Sequence, residues 1–193
     1  MWVLFLAFIL AVIAVNTYRT NLPSFLAMEG WSTVDAANIS GVRAIVSAIF
    51  LLAVGFLVEK IGLKPIMFIM MATFGVSLAI IGFAEVGVFM VILSVILSLF
   101  GAGIGGPFVG MIAGEAFGSK EFAAIQTFLM ASTFIAGFIA PLISSAVLQF
   151  GGTLALVNLI MAVVSFVSIV LFLVGLSISP FVKNKKARKE TAA

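Results

Sequence analysis

The chain has 193 residues, of which 64% are hydrophobic and only 9% are charged, and its formal net charge is +3. Soluble domains carry about 25% charged residues, so the composition indicates a protein whose solvent is the lipid bilayer. The sequence has no Cys and no His. Disulfides, thiolate chemistry, His-based zinc sites and Ser-His-Asp triads are therefore excluded, and we expect no enzyme, no metal, no cofactor and no nucleic-acid partner.

Long apolar segments follow one another along the whole chain. A helix that crosses a bilayer needs about 20 such residues, and we predict an all-α integral membrane domain over residues 1–182. Ser32 and Asp35 have the spacing of a helix N-terminal capping box before the second segment. Gly151 and Gly152 divide the long uncharged run near the end. The predicted spans are residues 1–20, 39–58, 65–84, 88–114, 122–149 and 154–179.

Basic residues are unevenly placed relative to these spans. Arg19 and Arg43 fall on one side, and the other eight of the ten Lys and Arg residues fall on the opposite side. The positive-inside rule then predicts that both termini are cytoplasmic. We expect an integral membrane protein of the cytoplasmic (inner) membrane of a prokaryote. Residues 183–193 are predicted to be a basic cytoplasmic tail, either solvated or in contact with anionic lipid.

A charged turn lies between the second and third predicted spans, over residues 55–65. It reads Gly-x-x-x-acid-base-x-Gly-x-Lys, and this spacing resembles the signature loop of the major facilitator superfamily of secondary transporters. Leu63 stands where that loop usually has a base. Gly55, Leu57, Gly62 and Lys64 match that loop outright, and Glu59 and Lys60 keep the charge but change the residue.

Three further segments resemble the same superfamily. Leu22-Pro23 resembles the end of its first helix, and the glycine-rich residues 101–107 resemble its fourth helix. Ala136-x-x-x-Ala140-Pro141 resembles a worn copy of its fifth-helix motif. The resemblance implies a six-helix half bundle of two inverted three-helix repeats, which transports a small solute by alternating access as part of a twelve-helix unit.

The resemblance also implies roles for particular residues. The charged turn is expected to form a gating charge cluster, in which Lys60 and Lys64 reach an acid on another helix, with Glu115 as the best candidate. The cluster is Gly55, Glu59, Lys60, Gly62, Lys64 and Glu115. Small residues four apart let membrane helices pack closely, and bends at Pro107 and Pro141 would suit a moving bundle. The predicted packing residues are Gly106, Gly110, Gly114, Ala136, Ala140 and Pro141.

The fourth predicted span lacks the Arg that a first family half usually carries there, and the chain ends in a short basic tail. Both points favour resemblance to the second, C-terminal half. The start of the chain almost at an apolar boundary suggests a fragment. We therefore expect a second six-helix half as a partner, and a homodimer of halves or a non-transporting six-span scaffold or assembly subunit are the alternatives.

Polar residues on the first two spans are candidates for a substrate cavity. About 22 Å of helix separates Arg43 from the cytoplasmic Glu59, less than the roughly 30 Å of a bilayer core. Such an Arg usually faces a cavity, pairs with an acid such as Glu29, Asp35 or Glu85, or reaches outward to the membrane surface. Because Arg binds carboxylate or phosphate in a bidentate manner, an organic anion is the expected small-molecule substrate.

The candidate cavity residues are Arg19, Asn16, Arg43 and Ser47, with Arg19 favoured because the first helix of a family half commonly lines the cavity. Tyr18 and Trp31 are interpreted as aromatic residues that fit the membrane interface as well as a substrate cavity. No acid is predicted near the middle of a span, so this chain offers no obvious proton carrier. Membrane lipid is the remaining expected partner.

Overall fold

The computed structural model describes residues 1–83, 87–118 and 121–178, and all of their regular structure is helical. Five of the helices are long and apolar enough to cross a membrane, namely α1, α2, α3, α6 and α7. This confirms an all-α protein with membrane-spanning helices. The helices are α1 (Trp2–Met28), α2 (Thr33–Ile61), α3 (Leu63–Gly82), α4 (Val88–Ser98), α5 (Pro107–Phe117), α6 (Phe122–Gln149) and α7 (Leu154–Ile178).

The centre of the bundle is formed by α1 and α3, which both pack against α7, while α6 packs on the other side of α1. The rings of Phe8 on α1 and Phe172 on α7 meet edge to face, with centroids 4.8 Å apart. Close to this contact, a Cβ added to Gly175 would lie 2.7 Å from the side chain of Leu4. The missing side chain at Gly175 thus lets α1 and α7 approach each other closely.

The first helix runs eight residues beyond the predicted end of the first span and passes through Pro23 without ending. The interpretation of Leu22-Pro23 as a helix end is therefore wrong. Proline removes only one backbone hydrogen bond, and packing beyond it is strong, since Phe25 and Leu26 are buried. Asn21 further ties this part of α1 to α6, because its Nδ2 donates to Ser144 Oγ at 2.9 Å.

The second helix begins at Thr33, six residues before the predicted span, because the capping box forms. Ser32 Oγ accepts a hydrogen bond from the Asp35 backbone N–H at 3.0 Å and donates to the Asp35 carboxylate at 2.6 Å. At the other end, Gly62 terminates α2 with φ of +94°, a conformation that other residues rarely adopt. The third helix starts at the next residue, with Pro65 in its first turn.

The single helix predicted over residues 88–114 is divided into two shorter apolar helices. A 3-10 turn over Leu99–Gly101 follows α4, and α5 begins only at Pro107. The glycines between the two helices weaken a continuous helix, and Pro107 is favoured at the first position of a new one. The structure therefore contains five helices of spanning length in its described residues, and the six-span count is not reproduced.

Only some of the predicted packing residues lie at contacts between helices. Ala136 and Ala140 are fully buried on α6, which packs against α1. Gly110 and Gly114 of α5 lie beside Phe122 of α6, at 3.8 Å from added Cβ atoms. Gly106 contacts nothing within 4 Å at its Cβ position, and it precedes α5, so it marks the break between helices. Pro141 lies within α6, which continues past it.

Candidate functional site

A polar cavity of about 370 Å³ lies between the first two helices. Arg19 and Leu22 of α1 line one side. The facing residues of α2 follow each other at intervals of three and four, which places them on one helix face. They are Ser40, Arg43, Ala44 and Ser47.

Arg43 is the most buried charge of this cavity, with only 8% of its surface exposed. Its guanidinium carbon lies over the Tyr18 ring, 5.3 Å from the centroid, which is a cation–π contact. In the described part of the chain no carboxylate pairs with it. Asp35 is engaged with Ser32 instead, and Glu85 lies outside the described residues. The five N–H donors of Arg43 therefore have no hydrogen-bond partner among the described residues.

Tyr18 forms the platform beneath Arg43 and is itself almost fully buried. Its hydroxyl lies 3.5 Å from Ser94 Oγ. Ser94 and Ser77 join α4 to α3, because each hydroxyl donates to the carbonyl of the other residue at 2.9 Å. Tyr18 is thus a core residue of the helix bundle. One feature of the sequence indicated such a role. Tyr18 is the only tyrosine of the chain, and it lies next to Arg19, a predicted cavity residue.

Three of the four predicted cavity residues meet at this site, namely Arg19, Arg43 and Ser47. Arg19 is exposed. Ser47 is buried, and its hydroxyl has no hydrogen-bond partner among the described residues. Asn16 is not part of the lining. Its side-chain nitrogen lies 3.7 Å from the Cβ position of Gly137 on α6, although Asn16 is only three residues before Arg19.

An apolar groove of about 350 Å³ borders the same arginine on its other side, between α2 and α4. Sequence reasoning missed this groove, although the apolar residues that alternate with the polar stripe of α2 were a signal for it. Its lining on α2 is Asn38, Ile39, Val42, Arg43 and Val46. Its lining on α4 and the following turn is Val91, Ile92, Val95, Ile96 and Leu99.

A family model described as Major Facilitator Superfamily matches residues 4–193 of the chain. The match covers nearly every residue. The chain belongs to the Major Facilitator Superfamily. No curated protein matches it. Members of this superfamily are transporters and not enzymes, so the transport function and the membrane-embedded, non-enzymatic character expected from the sequence agree with the family.

The charged turn that first resembled the Major Facilitator Superfamily joins α2 to α3 in the structure. Glu59 and Lys60 are exposed, and Lys64 and Glu115 are half-buried. No ion pair connects Glu115 to either lysine within the described ranges. Gly62 supplies the positive φ of the turn, whereas Gly55 has open space at its Cβ position. The gating role of this cluster stays a prediction.

Proposed function

We propose that the chain is one six-helix half of a secondary transporter that moves a small organic anion by alternating access. Membership of a transporter superfamily supports the general activity. The observation that supports an anion is the cavity between α1 and α2, where Arg19 and Arg43 line one space. No carboxylate of the described chain neutralises Arg43 there.

An unpaired cation in a membrane protein is costly and therefore usually functional. The cavity offers a carboxylate or phosphate the unused N–H donors of Arg43 and the unpartnered hydroxyl of Ser47. Binding such a group would satisfy both polar groups at once, and Arg can hold it through two parallel hydrogen bonds. A neutral solute would leave the charge of Arg43 uncompensated. The polar chemistry of the cavity therefore favours an anion.

The second half of the proposed transporter would cover the exposed apolar face of α2. Ile49, Leu52 and Phe56 each expose between 64% and 71% of their surface on this helix. Glu59 and Lys60 at the end of the same helix are exposed, and they would form the gating cluster with groups of the other half. The lysine-rich side of the chain supports cytoplasmic termini in a prokaryotic inner membrane.

Anion binding to the purified chain tests this proposal. The chain is placed in nanodiscs of zwitterionic lipid, and equilibrium dialysis measures saturable binding of acetate, benzoate, succinate and inorganic phosphate. We expect at least one of these anions to bind more tightly than its neutral amide or alcohol analogue. Arg43→Gln should weaken that binding about tenfold or more, since a hydrogen-bonded charge contributes about 1.5–3 kcal/mol.

Arg188→Gln is the matched control, because it removes the same charge from the predicted basic tail. Uptake of the same anions into liposomes that contain the chain alone then asks whether one half, or a homodimer, is sufficient for transport. Equal loss of binding in Arg43→Gln and Arg188→Gln, or equal binding of anions and neutral analogues, would contradict the anion cavity.

A further inference from the structure

Arg43 is shared by two cavities of similar size, one lined by both polar and apolar groups and the other almost entirely apolar. The polar cavity of about 370 Å³ holds Arg19 and Ser47, and the groove of about 350 Å³ between α2 and α4 is almost entirely apolar. Arg43 is the residue common to both linings. The side chain of Arg43 therefore lies between the two spaces, where a charged group and an apolar group of one molecule could meet.

We propose that the two cavities form one binding site for an amphiphilic anion. Its carboxylate or phosphate head group binds Arg43 in the polar cavity, and its single alkyl or aryl tail lies in the groove between α2 and α4. This inference rests on the proposed function and names the substrate class of the same site.

The head-group end of the site is already oriented in the structure. Tyr18 fixes the position of the Arg43 guanidinium, 5.3 Å from its ring centroid, and the described residues use none of its N–H donors. Ser47 adds a buried hydroxyl without a partner. A head group would therefore find its donors in place, which lowers the entropy lost on binding.

The groove has the dimensions of one short tail. Its lining on α4 spans Val91 to Leu99, which is about 12 Å at 1.5 Å per residue. Each tail of a membrane phospholipid extends through half of a roughly 30 Å core, and such a lipid carries two of them. A volume of about 350 Å³ is at the lower end of small-molecule pockets, which range over about 300–1,000 Å³. The groove therefore suits a single-chain molecule.

A homologous series of n-alkyl carboxylates from acetate to decanoate tests the tail. Radiolabelled octanoate is added to the chain in zwitterionic nanodiscs, and competition by each homologue for the saturable fraction of binding is measured. Empty nanodiscs correct for partition of the carboxylates into lipid. Burying one methylene contributes about 0.8 kcal/mol, which is about fourfold in affinity. We expect the affinity to rise by up to this factor per methylene and then to level off once the tail fills the groove.

Two double variants separate the groove from the rest of the lipid-facing surface. Val46→Thr with Val95→Thr places two hydroxyls in the groove without changing its shape. Val163→Thr with Val170→Thr places two hydroxyls on α7 instead, where both valines are exposed and line neither cavity. The groove pair should flatten the dependence on chain length and leave acetate binding unchanged, whereas the α7 pair should have no effect.

The possible outcomes distinguish this inference from the proposed function. Equal competition by acetate and octanoate, together with loss of both in Arg43→Gln, would overturn the groove and keep the anion cavity. Absence of saturable binding by every carboxylate would overturn both. An unchanged slope in the groove pair would also overturn the inference. So would displacement of octanoate by an equimolar two-chain anionic phospholipid in the disc, because the groove would then be a lipid site.

Discussion

The first two helices are similar in length and differ greatly in their surroundings. α1 has 27 residues and α2 has 29, and the most apolar stretch of α2 has the higher mean hydropathy. Yet 56% of that stretch is buried in α1 and only 17% in α2. Packing partners account for the difference, since α1 contacts α2, α6 and α7 while α2 mainly contacts α1 and α3. Hydropathy thus reports the solvent of a membrane helix but not its neighbours.

The faces of α2 also differ from one another. The face of α2 that turns toward α1 carries the polar stripe of the cavity, and the face toward α4 carries the apolar groove. The face that points away is apolar and exposed. α1 supplies a rigid support, with Tyr18 locked under Arg43. The buried α1 would then be fixed, and the exposed α2 would carry the proposed ligand contacts. This arrangement would suit a half bundle whose partner lies beyond α2.

Removing one buried ring from α1 should have the largest effect on stability. Phe8 is fully buried against Phe172, whereas Phe56 on α2 is 70% exposed. An unfolded membrane helix remains in lipid, so removing a buried ring loses little free energy of transfer from water. The cost of the cavity that the missing ring leaves therefore dominates the loss of stability. We expect Phe8→Ala to lower the free energy of unfolding by about 2 kcal/mol, and Phe56→Ala to change it by less than about 0.5 kcal/mol.

Unfolding in detergent, followed by circular dichroism at one scan rate, measures both variants. Comparable losses at the two positions would mean that α2 is packed against protein in the isolated chain. In that case the contrast between the two helices would be wrong, and a homodimer that covers α2 would be the first structure to look for by a size measurement.

Two glycines should respond with opposite signs to the same substitution. A Cβ at Gly175 would lie 2.7 Å from Leu4, whereas Gly55 on α2 has nothing within 4 Å. Alanine at Gly55 should raise stability by about 0.5–1 kcal/mol, because it restricts the unfolded chain. Alanine at Gly175 should lower stability by about 1 kcal/mol, because overpacking exceeds that gain. A stabilised Gly175→Ala variant would show that the α1–α7 contact relaxes without strain.

The sequence predicted well those features that depend on local chemistry. Composition and apolar length identified the spanning helices, and the Ser32–Asp35 box marked the start of α2. The sequence failed where tertiary contacts override local signals. Pro23 reads as a helix end, but the buried residues beyond it continue α1. The glycine run before Pro107 was predicted to lie within one span, but in the structure it separates two helices.

The candidate site shows the same division. Polar residues at helical spacing on α2 were enough to predict that Ser47 shares a face with Arg43. The contribution of Tyr18 and the Ser77–Ser94 pair depends on how four helices come together, which no single-helix pattern encodes. Asn16 lies only three residues before Arg19, so helical spacing alone did not exclude it from the cavity. Its side chain belongs to the α1–α6 contact and not to the cavity.

The smallest expected effect concerns the contact between the two helices at Arg43. Tyr18→Phe keeps the aromatic face and removes a hydroxyl whose contact with Ser94 is long, at 3.5 Å, so anion affinity should change by less than about twofold. Tyr18→Leu removes the face, and a cation–π contact contributes about 0.5–2 kcal/mol. Without it Arg43 is free to turn away, and the affinity for octanoate or acetate should fall by about threefold or more. If both variants bind equally, the ring does not orient Arg43, and α1 contributes to the site only through Arg19 and packing.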